Sequence, residues 1–186
     1  MDKRIEKTRE LIESNFFRLL QKKEISKITV TEICKMENIG RGTFYLHFQD
    51  TYDLYDKMEI KLCRDLVQIF EEAYPTAKKE QQKILLEHLT EYIETRKDIF
   101  LSFSRGDHGQ ALFERIRRIF NEKVLWEVPR LYQSEYDVIE SEFIVSGIIG
   151  VLQKWILNDM KMPRDELTKY LSGVLEKFAA DMNDIE

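Results

Sequence analysis

Ile5, Ile12, Phe16, Leu19 and Leu20 recur near helical spacing, so they share one face of a helix expected from about Lys3 to Lys22. In "SKITVTEICKMEN", Thr29 reads as an N-cap with Glu32 three residues on, a capping box. Ile28 and Ile33 take the positions of a hydrophobic staple. A short second helix therefore starts at Val30. Asn38 is a left-handed C-cap candidate, and Gly40 can cap the next helix. That third helix runs from Arg41 to about His47, with Phe44 and Phe48 four apart on its inner face. Asp50 and Asp53 open a fourth helix, in which Leu54, Met58, Leu62, Leu66 and Phe70 repeat every four residues. Pro75 lies just past its end. Further helices are expected over Lys78–Phe103, Gly109–Trp126, Tyr136–Asn158 and Pro163–Met182, with Pro163 at the first position of the last. No segment alternates long enough to be a strand. The expectation is an all-α protein of about nine helices. Residues 1–49 form a three-helix helix-turn-helix domain and residues 50–186 a larger helical bundle.

Charge changes the picture of the first part. Net charge is -5 over 186 residues, but residues 1–49 hold ten Lys and Arg against seven Asp and Glu. The remainder is strongly acidic. A small module that meets a polyanion, carried on an acidic body, would have this balance; so would an ordinary solvated surface. Lys3, Arg4, Lys7 and Arg9 crowd the first turns of helix one, where the helix dipole prefers anions. The charges there answer to something outside the helix. Cys34 and Cys63 sit in helical patterns and read as small buried residues. Met1 to Arg9 leads into more charge and not an apolar run, so no secretory signal is expected. The most apolar stretch, Phe143 to Leu152, is far short of the ~20 residues of a membrane span. No membrane partner is expected, and the localisation is taken as cytoplasmic.

Two short helices joined by a tight turn, with a third behind them, make a helix-turn-helix. The second opens with Gly40, Arg41, Gly42 and Thr43, small or hydrogen-bonding residues at the end that enters a major groove. Gly42 costs helix stability, roughly 1 kcal/mol against Ala. It is explained either by close approach of the backbone to DNA or by close packing against a neighbouring helix. Arg41 can read a guanine, and Thr43 a base edge or a thymine methyl. Tyr45 and His47 can donate to phosphates, as can amides at the start of helix two around Thr31.

The stretch "TVTEICKMENIGRGTFYLHFQDTYDLYDKM" resembles the DNA-binding signature of TetR-family transcriptional regulators. The likeness runs from about Thr8 to Leu62 and centres on Gly-Thr-Phe-Tyr. It implies a DNA-binding domain whose contacts come from Lys27, Thr29, Thr31, Gly40, Arg41, Gly42, Thr43, Tyr45, His47 and Thr51. This chain departs from the family at three places. Asn38 stands where Gly is usual, Gly40 where Ser is usual, and Thr51 where a phosphate-binding Lys is common.

The resemblance extends to "FIVSGIIGVLQKWILNDMKMPRDELTKYL", similar to the last two helices of many members. It implies a homodimer interface of four helices, with Phe143, Ser146, Gly147, Gly150, Val151, Lys154, Trp155, Tyr170 and Val174 in it. The alternative for the small residues is packing within one subunit. Phe100, Phe103, Phe113, Phe120, Trp126 and Phe143 are candidates to line an effector pocket, although a helical core needs such residues anyway. No catalytic or metal-binding motif is present. His47, His88 and His108 are scattered, and Asp107–His108 reads as a polar loop. No cofactor is expected and the protein is not expected to be an enzyme. The function implied is that of a dimeric repressor on a palindromic double-stranded DNA operator, answering to a small-molecule or protein effector. The alternative is a TetR-shaped adaptor that acts through a protein partner.

Overall fold

The computed structural model describes residues 3–73, 79–104, 109–127 and 135–182. Among them are nine α-helices and no strand: α1 Lys3–Leu20, α2 Val30–Met36, α3 Arg41–Tyr45, α4 Thr51–Ala73, α5 Lys79–Thr95, α6 Lys97–Ser104, α7 Gly109–Glu127, α8 Glu135–Leu157 and α9 Arg164–Met182. The all-α expectation holds. The expected helix over Lys78–Phe103 is two helices. The Arg96 amide donates to the Ile93 carbonyl at 3.2 Å, a tight turn that ends α5. Arg96's own carbonyl then accepts from Ile99 and Phe100 and starts α6. Neither Gly nor Pro marks this one-residue break. At α9, Pro163 stands before the first helical residue, and its carbonyl accepts from the Leu167 amide at 3.1 Å. Pro75 lies outside the described residues.

The chain divides into two compact units, Met1–Leu62 and Cys63–Glu186. The first unit includes the opening turns of α4 as well as the three helices before it. Its core gathers Ile12 and Phe16 from α1, Ile25 and Ile28 from the connection, Ile33 from α2, Phe44 and Phe48 from α3 and its end, and Leu54 from α4. The staple pair Ile28 and Ile33 is buried, as its spacing requires. Among the described residues of this unit, Asn15 is the polar side chain buried completely. Its amide donates to the Ile33 carbonyl in α2 at 3.2 Å.

In the second unit α5 packs on α9, α7 on α8, and α6 on both α7 and α8. The α5–α9 contact contains Thr90 and Thr168, buried, with their hydroxyls 3.0 Å apart. Small polar side chains suit a close helix approach because each hydroxyl also bonds a carbonyl on its own helix. Helix α8 is apolar nearly all round. Val145, Ile149, Leu152 and Ile156 face inward, while Ile139, Phe143 and Val151 are exposed. A helix that is apolar on every side expects cover on every side.

The Asn15 contact gives a stability test. Asn15→Ala deprives the Ile33 carbonyl of its donor and leaves a gap in the core. A loss of about 1–3 kcal/mol is expected in urea denaturation. An unchanged midpoint and slope would remove Asn15 as the tie between α1 and α2.

Candidate nucleic-acid interface

The interface is assembled from α2, α3 and the start of α4. At α2 the capping box is complete. The Glu32 amide donates to the Thr29 hydroxyl oxygen at 3.3 Å, and the Glu32 carboxylate accepts from the Thr29 amide at 3.0 Å. The Lys23 ammonium reaches the same carboxylate at 2.6 Å. Lys23 and the Thr29 donors together hold Glu32 down at about 2, against a usual value of 4.5. The start of α2 is therefore fixed before anything binds it. Thr29, Thr31 and Lys27 are exposed there, with Lys27 3.6 Å from Glu24.

Helix α2 stops because Asn38 takes a left-handed conformation, φ 52°. The following amide, Ile39, donates to the Cys34 carbonyl at 2.9 Å. This six-to-one bond across the helix end is the Schellman pattern. It turns the chain at once into α3. Gly40 is the N-cap with an extended backbone and no side-chain cap bond; its carbonyl accepts from Thr43 at 2.9 Å.

Helix α3 has five residues and two faces. Phe44 and Phe48 point inward and are buried, with ring centroids 5.7 Å apart. Gly40, Arg41, Gly42, Tyr45 and Leu46 point outward, and Thr43 and His47 are half-buried between the faces. Tyr45 is 57% exposed and its ring meets the Phe44 ring edge-on at 5.6 Å. Added to Gly42, a Cβ would find nothing within 4 Å. Close packing within the protein therefore does not explain this glycine.

The far end of α3 is held from α4. Lys57 donates to the His47 carbonyl at 3.2 Å and to Asp53 at 2.8 Å, and its ammonium lies 5.4 Å from the centre of the Phe48 ring. Asp50 accepts from the Tyr52 and Asp53 amides, and Asp53 accepts from the Gln49 amide, all at 2.8 Å. The two aspartates thus cap α4 reciprocally. Lys57 beside it, then the Gln49 amide, holds the Asp53 carboxyl below its usual range. Thr51 is only 8% exposed, so its side chain offers almost no surface. Two exposed residues went unnoticed in the sequence, Leu46 at 84% and Tyr52 at 51%. Leu46 was legible in principle. It lies two residues from both inward phenylalanines, so helical geometry turns it away from them.

The candidate pocket residues differ in burial. Phe100, Phe103, Phe113 and Phe120 are buried, and Phe120 meets Phe70 edge-on at 5.6 Å. Phe143 is 63% exposed on the outer face of α8. The Trp126 side chain and Asp107–His108 lie outside the described residues. Of the candidate dimer residues, Gly147, Val151 and Lys154 are exposed with Phe143 on α8, as are Tyr170 and Val174 on α9; Ser146 and Gly150 are half-buried. A Cβ added at Gly147 or Gly150 meets nothing within 4 Å, so packing within the subunit does not account for them. Trp155, by contrast, faces the subunit's own core. It is 5% exposed, and its indole donates to the Met162 carbonyl at 2.9 Å, tying α8 to the loop before α9. Among the described residues no group of His, Cys, Asp or Glu is placed to hold a metal ion, and no helix is long and apolar enough to cross a membrane.

A capped helix, a left-handed turn and a short exposed second helix make a helix-turn-helix, the fold element of a class of transcriptional regulators. Residues 80–177 match a TetR family model described as "Transcriptional regulator C-terminal region". The chain belongs to the TetR family of transcriptional regulators. A helix-turn-helix-type transcriptional regulator of Bacillus subtilis, YxbF, is 31% identical over 68 residues; the match spans 36% of this chain and only 18% of that relative. A TetR transcriptional regulator from Streptococcus agalactiae is 26% identical, with TM-score 0.64 over 93% of this chain and 96% of that one. NalD from Pseudomonas aeruginosa superposes with TM-score 0.74 over 93% and 96% of the two chains at 18% identity, a likeness of fold.

The charge network at α2 has a readable pH signature. Glu32 is depressed in the folded protein, so its contribution is complete above the unfolded value near 4.5 and is lost as pH falls toward about 2. In a carboxyl-detected NMR titration Glu32 should titrate near 2 and move up in Lys23→Met. A wild-type midpoint near 4.5 would mean that the Lys23–Glu32 contact does not form.

Proposed function

We propose that the protein is a homodimeric repressor that binds a palindromic operator through α3 and releases it when an effector binds the C-terminal part of the chain. The observation that carries this reading is the open space at Gly42. A residue unfavourable in a helix sits where nothing in the protein needs its missing side chain. It is flanked by exposed Arg41 and followed by exposed Tyr45 and Leu46. In a major groove that gap would let the backbone approach the base edges, with Arg41 forking onto a guanine.

Division of labour follows the proposed boundary. Residues 1–49 supply the contacts, from Lys27, Thr29, Thr31, Gly40, Arg41, Gly42, Thr43, Tyr45 and His47. At Thr51 the contact passes to the backbone, because the side chain is buried. Residues 50–186 supply dimerisation and effector binding. The exposed apolar outer face of α8, with open space at Gly147 and Gly150, supports self-association. Two copies would set their α3 helices about 34–36 Å apart, one turn of DNA. The repressor role is proposed by analogy with NalD, the secondary repressor of a multidrug efflux pump, which shares this fold. Release requires only that the effector bind two states of the dimer unequally.

Two measurements test these assignments. Gly42→Ala should keep or raise thermal stability, because the new methyl meets nothing, yet lower operator affinity at least about tenfold. Arg41→Ala should relax sequence preference, and Tyr45→Phe should weaken all sites alike. Unchanged binding to an operator selected from random DNA in all three variants would remove α3 as the reading helix. Separately, Gly147→Glu should leave helix content intact and convert the dimer to monomer in sedimentation. A dimer that survives this change would place its interface elsewhere.

A further inference from the structure

Helix α7 carries two polar atoms that the protein shields from water and leaves unmatched. The Nε of Arg117 and the Oδ1 of Asn121 are buried and have no hydrogen-bond partner. They are four residues apart, on one face of the helix. Arg117 forms no ion pair among the described residues, whereas Arg164 and Arg96 have partners. Arg164 lies 3.1 Å from Asp165 and 3.6 Å from Glu94, and the Arg96 guanidinium stacks 4.1 Å above the Tyr92 ring. Phe113 and Phe120, both buried, stand at the helical positions next to Arg117. The strip of α7 is thus aromatic, with one cationic donor and one amide acceptor set into it.

An unmatched donor and an unmatched acceptor, both screened from solvent, are unfavourable for folding. Two of them on successive turns of one helix face point to a ligand that completes both. The chemistry of each atom specifies its partner. The Nε edge of a guanidinium offers two parallel donors and fits the two oxygens of a carboxylate. The Asn121 Oδ1 accepts and needs a hydroxyl or amine. We infer that Arg117 and Asn121 form the polar end of a site for a small carboxylate that carries a hydroxyl or amine near its acid group. The inference deepens the effector reading above and rests on it for the idea that this part of the chain takes a small ligand.

The test uses the full-length protein without DNA first. Sodium salts of lactate, glycerate, malate and glutamate are compared at 10 mM with lactamide and with sodium chloride of equal ionic strength. At least one of the carboxylates should raise the melting temperature by about 3 °C or more, and lactamide should not. Arg117→Met fills similar space without the donor. It should melt no lower than wild type in the absence of ligand, because it removes an unmatched group, and it should lose the ligand-induced shift. Arg117→Lys, which keeps the charge but not the forked edge, should lose most of it. Three results each overturn the inference: no carboxylate stabilises the wild type; Arg117→Met alone melts several degrees lower, which would mean that the chain or a second copy already pairs Arg117; or the shift survives both substitutions. Operator binding with and without the active carboxylate is then measured separately. Stabilisation without release of DNA leaves the site standing and removes its role as the effector site.

Discussion

Burial of Phe44 and Phe48 holds α3 in place, and the external face of the first unit depends on it. A helix of five residues has no stability of its own, since isolated helices shorter than about 12–15 residues are marginal in water. Each phenyl ring taken from water contributes roughly 1.5–3 kcal/mol. The two rings anchor α3 to a core supplied by α1, the connection and α4. Its direction is set at one end by the left-handed Asn38 and the Ile39–Cys34 bond, and at the other by Lys57 on the His47 carbonyl. Arg41, Gly42, Tyr45 and Leu46 therefore inherit their positions from residues that never reach the outer surface of the helix.

The same frame pairs part of the positive charge in this unit. Arg9 is paired with Glu13, Arg18 with Glu37, Lys23 with Glu32, Lys27 with Glu24 and Lys57 with Asp53. Arg41 and Lys35 make no ion pair among the described residues and are exposed. The excess of cations noted in the sequence is thus not a uniform coat. Much of it is matched locally, where opposite charges a few ångströms apart cancel at longer range. The cations outside these pairs include exposed Lys7 on α1, Lys22 just after it, Lys35 on α2 and Arg41 on α3. The first amides of α4 are similarly committed, to Asp50.

How much of this was legible depended on the range of the interaction. The Thr29–Glu32 box, the left-handed Asn38 and the inward Phe44 and Phe48 obey rules that act over three or four residues, and all stood in the sequence. The Lys23–Glu32 and Lys57–His47 contacts join residues nine and ten apart, beyond any local rule. The break at Arg96 carries no Gly or Pro, and apolar residues continue on both sides of it, so periodicity ran through it. Trp155 was expected by resemblance in the dimer interface. Its position beside the inward Leu152 and Ile156 is a matter of helical phase, which single residues on an almost uniformly apolar helix do not reveal. Arg117 and Asn121 drew no notice, because an arginine and an asparagine in a helix look solvated until their neighbours are known.

The open space beside Gly42 also has a genetic consequence. A Cβ at that position meets nothing in the protein, so cellular quality control, which acts on unfolded chains, would pass a substituted variant. In the proposed dimer such a variant would accumulate to the normal level and join normal subunits in mixed pairs. On that reading, with one α3 spoiled, each mixed pair would lose its second half-site. An allele of this kind would behave as dominant over the wild type, whereas an allele that breaks the Phe44 core would be recessive.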